Sequence, residues 1–434
     1  MFRTIKNAFR IKEVRDRILF VLFILLVVRL GSQVPVPGVN PDFLSAYFGN
    51  GSFKLLDAFS GGGLSNFSIF ALSITPYITS TIIVQLLTIS IPKLEELQKE
   101  GEEGRKALIK ITRFITLFLS LAESISLCIG FNSQMILDFN IINVLAVVAV
   151  LTTGSSFLMW LGERINEKGI GNGISVILLI NIISGIPSDV RTLWDNYIHG
   201  KTIAGGVLAA LIIIVIALAI TLFSICLTDA VRDVPVIYSK KISGNNVMAG
   251  RPSTLPIRTN TAGVIPVIFA TSVMAIPGLI VTFTGQEVKG VWLHVTNALT
   301  PSSWFGTAAW YETVIGVAVY VVLLYAFAKF YTRLTYNADE IADSLKRNGG
   351  TVPGIRPGTS TADYLKNIIR KQTMLGCTGL LIVTMAAYFI NGFTHASLSL
   401  GGTSMLIIVT VMLETSKQIE SMMAARNHKG FLAD

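Results

Sequence analysis

Ten long apolar runs limit what this chain can fold into, because most have close to the roughly 20 residues that a helix needs to cross a bilayer. They lie near 18–36, 69–92, 114–131, 141–162, 174–186, 203–227, 264–283, 313–332, 374–391 and 402–416. Charged residues make up only 14% of the 434 residues, whereas soluble chains carry about 25%. The sequence therefore predicts an all-α polytopic membrane protein.

The distribution of Lys and Arg decides whether the short fifth run crosses the membrane, because basic residues collect in cytoplasmic loops. With ten spans and a cytoplasmic N-terminus, few basic residues face outward. They are Lys54, Arg191, Lys201 and Lys289. If 174–186 did not cross, all the later basic loops would face outward instead. We therefore predict ten spans, with both termini in the cytoplasm.

Ten spans divide into two five-helix halves, and an odd number of spans per half gives the halves opposite orientations, as in many transport proteins. The predicted segments follow this division. They are a basic N-terminal segment 1–17, an N-terminal half 18–186, an external linker 187–202, a C-terminal half 203–416 with polar cytoplasmic loops 228–259 and 333–371, and a cytoplasmic tail 417–434.

The second apolar run is interrupted in a way that a simple lipid-facing helix would not tolerate. The stretch 60–85, "SGGGLSNFSIFALSITPYITSTIIVQ", begins with glycine and serine and contains Pro76. Irregular backbone survives at membrane depth only where protein or water satisfies its polar groups. This stretch therefore predicts a water-facing element inside the membrane.

Arg29 and Glu123 lie within predicted spans, where a charged residue needs a partner or water. Arg29 precedes the exit of span one, and a structural pairing or snorkelling role is expected for it. Glu123 lies near the middle of span three. It is interpreted either as an ion site or as a helix-packing polar group, with Thr79, Gln85 and Asn260 as candidate partners.

No catalytic or metal-binding pattern is present in the sequence. The three cysteines lie in apolar stretches without a CxxC motif, and no HExxH, GxSxG or Walker A run occurs. The "GIGNGIS" run at 169–175 has no preceding strand, so a nucleotide site is not predicted there. The sequence predicts no enzyme activity, no cofactor, no metal and no nucleic-acid substrate.

Seven stretches, in order along the chain, resemble the SecY family, the channel subunit of the bacterial Sec translocon. They are "RLGSQVPVPGV" (29–39), "FSGGGLSNFSIFALSITPYITSTIIVQLL" (59–87), "EGEEGRKALIKITR" (100–113), "FLMWLGERINEKGIGNGIS" (157–175), "STLPIRTNTAGVIPVIFA" (253–270), "NADEIADSLKRNGGTVPGIRPGTSTADYL" (337–365) and "GGTSMLIIV" (401–409). The resemblance implies two pseudo-symmetric inverted halves around a central pore, a re-entrant plug helix, and a bacterial cytoplasmic (inner) membrane location.

The resemblance also implies how the pore is closed. It assigns a plug to 53–67, centred on six residues: Phe59, Ser60, Gly61, Gly62, Gly63 and Leu64. It assigns an apolar pore ring to Ile74, Ile78, Ile174, Leu178, Ile268 and Ile407. Such a constriction excludes ions by dewetting without a fixed hydrogen-bonding code.

The same resemblance implies a lateral gate between spans two and seven and a docking surface on the cytoplasmic loops. The gate residues are Thr79, Gln85, Glu123 and Asn260. The docking residues are Arg356, Lys346, Arg347, Lys240, Lys241 and Arg232. Asp233, Asn245 and Asn246 dilute the charge of the first loop, which leaves ribosome docking through that loop open.

The function implied is translocation of unfolded secretory polypeptides and lateral insertion of membrane proteins. The implied partners are SecE-like and SecG-like membrane subunits, a SecA motor ATPase, the ribosome, signal peptides, nascent chains and the lipid bilayer. Three alternatives stay open. They are an ion-coupled secondary transporter using Glu123, an accessory SecY-type translocase with restricted substrates, and an assembly scaffold without conduction.

Overall fold

The computed structural model describes most of the chain. The described residues are 9, 11–40, 57, 59–136, 139–197, 203–238, 241–243, 246–248, 252–284, 290–305, 308–394 and 402–429. The predicted docking residue Lys240 and the predicted plug residues 53–56 and 58 lie outside them.

Helices dominate the described chain, and each of the ten predicted spans falls on one. The helices are α1 (Lys12–Gly31), α2 (Thr75–Ser90), α3 (Pro92–Lys99), α4 (Glu102–Met135), α5 (Ile141–Lys168), α6 (Gly173–Tyr197), α7 (Ile203–Asp229), α8 (Ile265–Thr284), α9 (Val291–Leu299), α10 (Trp310–Thr335), α11 (Ala338–Arg347), α12 (Thr359–Thr394) and α13 (Gly402–Lys429). The strands are β1 (Val231–Tyr238), β2 (Lys241–Ser243), β3 (Asn246–Met248), β4 (Pro252–Arg258) and β5 (Gly350–Thr351).

Five helices in the described ranges are long and apolar enough to cross a membrane by themselves: α4, α5, α6, α10 and α12. A sixth is obtained if α2 and α3, which are bent by 106° relative to each other, count as one broken span. Apolar helices also occur at Ile214–Asp229 and Ile265–Gly278. The chain is therefore a multi-pass membrane protein.

The helical packing separates two groups of spans. In the first group α4 packs on α2 and α5, and α5 packs on α6. In the second, α10 packs on α8 and α12, and α13 packs on α7 and α12. The two groups meet where α6 lies against α13 and where α4 lies against α8.

Span two begins later than the sequence predicted. The apolar run starts near residue 69, but α2 begins at Thr75, with Pro76 in its first turn. Residues 69–74 form turns instead, and Ser73 has a positive φ of 54°. Gly154 on α5 lets these turns pass close by, because a Cβ there would lie 2.0 Å from the Ile69 carbonyl oxygen. Proline favours the first helical turn, where its missing N–H is not needed.

The two polar loops after α7 and α10 form one folded layer, a pairing that the sequence analysis did not predict. One sheet has the strand order β4-β1-β5. Because β1 and β4 belong to the loop after α7 and β5 belongs to the loop after α10, the two loops pair with each other. Buried side chains from both loops, including Val234, Ile257, Ala342 and Leu365, form a common apolar cluster. We call the side of the protein that carries this layer the loop side.

Candidate functional site

The glycine-rich turn after Phe59 is organised by one carboxylate. Asp57 Oδ1 accepts hydrogen bonds from the backbone N–H groups of Leu64 (3.1 Å) and Ser65 (2.9 Å). Asp57 Oδ2 accepts one from the Ser65 hydroxyl at 2.7 Å. Residues 57, 59 and 60 are helical and the chain then turns, with positive φ at Gly61 and Gly62. Glycine adopts this left-handed backbone without steric cost.

Polar side chains from two spans hold this turn inside the first half. Arg29 Nη1, on α1, donates to the Gly61 carbonyl at 2.9 Å. The same nitrogen donates to Ser184 Oγ, on α6, also at 2.9 Å. The pairing role expected for Arg29 is therefore present in the structure.

A second link joins the turn to α6 one helical turn away from Ser184. Asn181 Nδ2 donates to the Phe59 carbonyl at 2.9 Å. The hydroxyl of Ser73 donates to the same oxygen at 2.9 Å. Asn181 itself is only 2% exposed. A buried amide N–H group is expensive unless it is hydrogen-bonded, so this contact of Nδ2 stabilises the position of the turn.

Sequence reasoning missed three members of this site, Ser73, Asn181 and Ser184, and it did not single out Asp57 within the predicted plug 53–67. A signal for two of them was available, because Asn181 and Ser184 are polar residues within the apolar run "ISVILLINIISGI". Polar residues in spans commonly face other protein groups.

Five of the six predicted ring residues pack in two apolar clusters. Ile74, Ile78 and Ile174 pack in one apolar cluster of the first half, with side chains of α1 and α5. Ile268 and Ile407 belong to a different cluster, which also contains Phe59 of the turn. Leu178 is buried with 5% exposure. That all six line one passage remains a prediction.

The predicted gate residues lie on α2, on α4 and just after β4, but no hydrogen bond joins them to one another in the described structure. Thr79 Oγ1 donates to the carbonyl of Thr75 in its own helix. Gln85 Oε1 and Asn260 Nδ2 are buried without a hydrogen-bond partner. The helix α4, which carries Glu123, packs directly on α8.

A cavity of about 890 Å³ opens beside these residues. Its lining includes Gln85 of the predicted gate and Ile174 of the predicted ring. The wall also contains Arg113 and Glu163, which form a two-bond ion pair with N–O distances of 2.8 and 2.7 Å. The cavity is thus open, has polar and charged walls, and reaches one ring residue.

Comparison with known proteins decides the family. The SecY family model matches residues 68–416. The chain belongs to the SecY family. Relatives named protein translocase subunit SecY include one from Halalkalibacterium halodurans, 38% identical over 440 residues and covering 100% of both chains. Two further relatives carry the same name. The one from Bacillus subtilis is 37% identical over 441 residues and 100% of both chains, and the one from Staphylococcus aureus is 36% identical over 440 residues and 99% of both chains.

Solved structures show the same fold. A protein-conducting channel matches with a TM-score of 0.63 at 17% identity, over 93% of this chain and 91% of that one. A SecY structure described for its plug domain matches with a TM-score of 0.63 at 18% identity and the same coverage. Canine Sec61 from a ribosome-channel complex matches with a TM-score of 0.59 at 16% identity, over 93% and 91%.

These findings confirm the predicted family, fold class and function. As a SecY protein, the chain is a channel subunit for protein translocation and not an enzyme. They do not favour the alternative of an ion-coupled transporter.

The predicted docking residues that the structure describes lie in the two loops that form the folded layer of this SecY protein. Arg356 is exposed in the tight turn before α12, between Gly354 and Gly358, which both have positive φ. Lys346 and Arg347 are exposed in the last turn of α11. Arg232 is exposed on β1, and Lys241 lies in β2.

Proposed function

We propose that this SecY protein conducts unfolded secretory polypeptides across the cytoplasmic membrane of a bacterium through a passage between its two halves, 18–186 and 203–416. Membrane segments leave this passage sideways into lipid. The loop side faces the cytoplasm, together with both termini. The family assignment supports this proposal, as does the meeting of the two halves along α6–α13 and α4–α8.

One observation carries the proposal: the turn at 57–65 is held in the first half by a few polar contacts while Phe59 joins the apolar cluster of Ile268 and Ile407. We take this turn, within 53–67, as the plug of the closed channel. Each hydrogen bond contributes about 1 kcal/mol net, and those of a charged group about 1.5–3 kcal/mol. Such contacts hold a plug firmly but let a passing chain displace it.

The seal around the plug is assigned to the six apolar residues Ile74, Ile78, Ile174, Leu178, Ile268 and Ile407. A narrow apolar passage excludes water and ions by dewetting. It also offers no specific hydrogen-bonding groups, so polypeptides of many sequences can pass. The open cavity that ends at Ile174 would then receive the substrate from the cytoplasm.

The lateral gate is assigned to α2 and α8, with Thr79, Gln85, Glu123 and Asn260 between or beside them. The unpaired amide atoms of Gln85 and Asn260 support this, because unsatisfied buried polar atoms weaken a packed contact. A signal peptide that binds the open state better than the closed state shifts the equilibrium by its difference in affinity.

The docking proposal rests on the exposed cations of the loop side. Arg356, Lys346 and Arg347, with Arg232, Lys240 and Lys241, would contact a SecA-type motor ATPase or a ribosome. Two fold relatives are ribosome-bound channels, canine Sec61 and the yeast Ssh1 complex, which supports a ribosome partner. SecE-like and SecG-like subunits would complete the translocase.

Reconstituted vesicles test the proposal. With the SecE-like subunit and a motor ATPase present, a presecretory protein should become protected from protease, and deletion of 55–66 should create an ion leak. Uptake of a small solute under an ion gradient, without protection of the presecretory protein, would favour a transporter. Protection without any leak on deletion would remove the plug assignment alone.

A further inference from the structure

A second cavity, of about 670 Å³, lies between the loop-side ends of α10 and α12 and the start of α11. It has no lining residue in common with the cavity that reaches Ile174. None of the pore, gate or docking residues described above lines this second cavity.

Its walls carry an excess of positive charge. Lys329 and Arg333 of α10 and Lys366 and Arg370 of α12 line it, with Asp339 of α11 as the carboxylate. Each basic pair is spaced four residues apart, so its two charges lie one turn apart on the same helix face, an unfavourable arrangement without an anion.

Only one of these cations has its charge balanced in the described structure. Lys366 Nζ lies 2.9 Å from Asp339 Oδ1. Lys329, Arg333 and Arg370 make no ion pair with any residue that the structure describes. Three unbalanced cations around one cavity favour binding of an anion, and Arg in particular matches the geometry of a phosphate group.

The position of the cavity indicates which kind of molecule would supply a phosphate group to these cations. The apolar run of α10 ends at 332 and that of α12 begins at 374, so the cavity lies at the boundary between membrane and polar layer. On the membrane side, Tyr325 and Thr378 connect the two helices through a 2.7 Å hydrogen bond.

Exposed apolar side chains continue from the cavity toward the membrane interior. Val322 lies two turns from Lys329 on the same face of α10 and is 67% exposed. Met374 lies one turn from Arg370 and is 39% exposed, and Ile382 two turns further is 53% exposed. This surface suits acyl chains, whereas free phosphate would use only the cations.

We propose that this cavity binds the phosphate headgroup of an anionic membrane phospholipid, with Arg333, Arg370 and Lys329 holding the phosphate and the acyl chains lying along α10 and α12. The site fixes an anionic lipid beside α12, the helix that follows the Arg356 turn. It does not depend on the proposed plug or gate.

Titration of the full-length protein in detergent, followed by native mass spectrometry, tests the proposal. The measurement is the affinity of the first phosphatidylglycerol bound, relative to phosphatidylcholine. The double substitution Arg333→Gln, Arg370→Gln should weaken it by about fivefold for each charge removed. The matched control Lys346→Gln, Arg347→Gln removes two exposed charges of α11 outside the cavity and should leave it unchanged.

A third variant tests whether misfolding, rather than charge removal, causes a loss of phosphatidylglycerol affinity. Asp339→Asn removes the carboxylate that pairs with Lys366, so phosphatidylglycerol should bind more tightly. Damage to the fold would not produce tighter binding. Excess inorganic phosphate should not displace the lipid. Unchanged affinity in the Arg333/Arg370 variant, equal loss in the control variant, weaker binding in Asp339→Asn, or displacement by inorganic phosphate would each overturn the proposal.

Discussion

Arg29 and Gly61 are joined by a 2.9 Å hydrogen bond between a guanidinium Nη1 and a backbone carbonyl, across 32 residues of sequence. The cation is placed within a membrane span, where a charge without partners is costly. Its partners are the Gly61 carbonyl, in the proposed plug, and the Ser184 hydroxyl, both neutral. Moving the plug away therefore leaves a membrane cation with one partner fewer, which favours the closed position.

Replacement of Arg29 by Met should make the resting channel leak ions. The loss of a charge-assisted hydrogen bond costs the closed state about 1.5–3 kcal/mol, so the open-plug population should rise by about tenfold or more. Ion conductance across planar bilayers measures this. Arg191→Met, which removes an exposed charge at the far end of α6, is the control and should remain sealed. A sealed Arg29→Met channel would contradict the role of this contact.

Alanine substitutions at Gly61 and Gly62 separate the effect of the contact with Arg29 from the effect of backbone strain. Both have positive φ, 67° and 83°, so alanine strains the backbone at either position by about 1–2 kcal/mol. A Cβ at Gly61 would lie 2.8 Å from Arg29 Nη1, whereas a Cβ at Gly62 has nothing within 4 Å.

Gly61→Ala is therefore expected to displace the plug and to raise resting conductance well above that of Gly62→Ala. The same bilayer recordings compare the two variants. Equal conductance in both would mean that strain alone, and not the fit against Arg29, governs plug position.

Asn260→Leu should tighten the predicted lateral gate. Asn260 is 8% exposed and its Nδ2 has no partner, so leucine removes an unsatisfied buried group worth about 1–3 kcal/mol. Export of a protein with a weakly hydrophobic signal should fall by roughly tenfold, while export with a strong signal should change little.

Ser155→Ala provides the matched control for the gate prediction. Ser155 Oγ on α5 is also buried without a partner, but α5 is not one of the gate helices. Its replacement should stabilise the protein without altering signal selectivity. If Asn260→Leu and Glu123→Leu both leave export of the weak-signal protein at its original level, the gate assignment fails.

Arg356→Glu should abolish most motor-driven translocation while leaving resting conductance unchanged. The side chain is exposed at a turn of the folded layer, so charge reversal alters the docking surface without disturbing packing. ATP-dependent protease protection in vesicles measures the effect, for which we expect a loss of tenfold or more. Lys371→Glu, at an exposed cation on α12, is the control. Equal losses in both variants would indicate a general charge effect rather than a specific contact.

The family, the polytopic helical fold and the irregular start of span two could all be predicted from the sequence. Hydropathy and charge are local properties, and the constraint that lipid puts on backbone hydrogen bonds makes them unusually informative. Pro76 and the glycines at 61–63 indicated the break before α2, although the helix begins at Thr75 rather than near residue 69. Fold class and function followed from the ordered motifs.

The contacts that position the turn at 59–65 were decided by tertiary structure alone. Arg29 meets Ser184 across 155 residues, and Asn181 meets the Phe59 carbonyl across 122. The loop-side sheet likewise pairs strands from two separate loops. A sequence states which residues are polar and how often they recur along a helix. Which of them meet depends on how distant helices pack, because each buried polar group is satisfied by whatever neighbour that packing brings within about 3 Å.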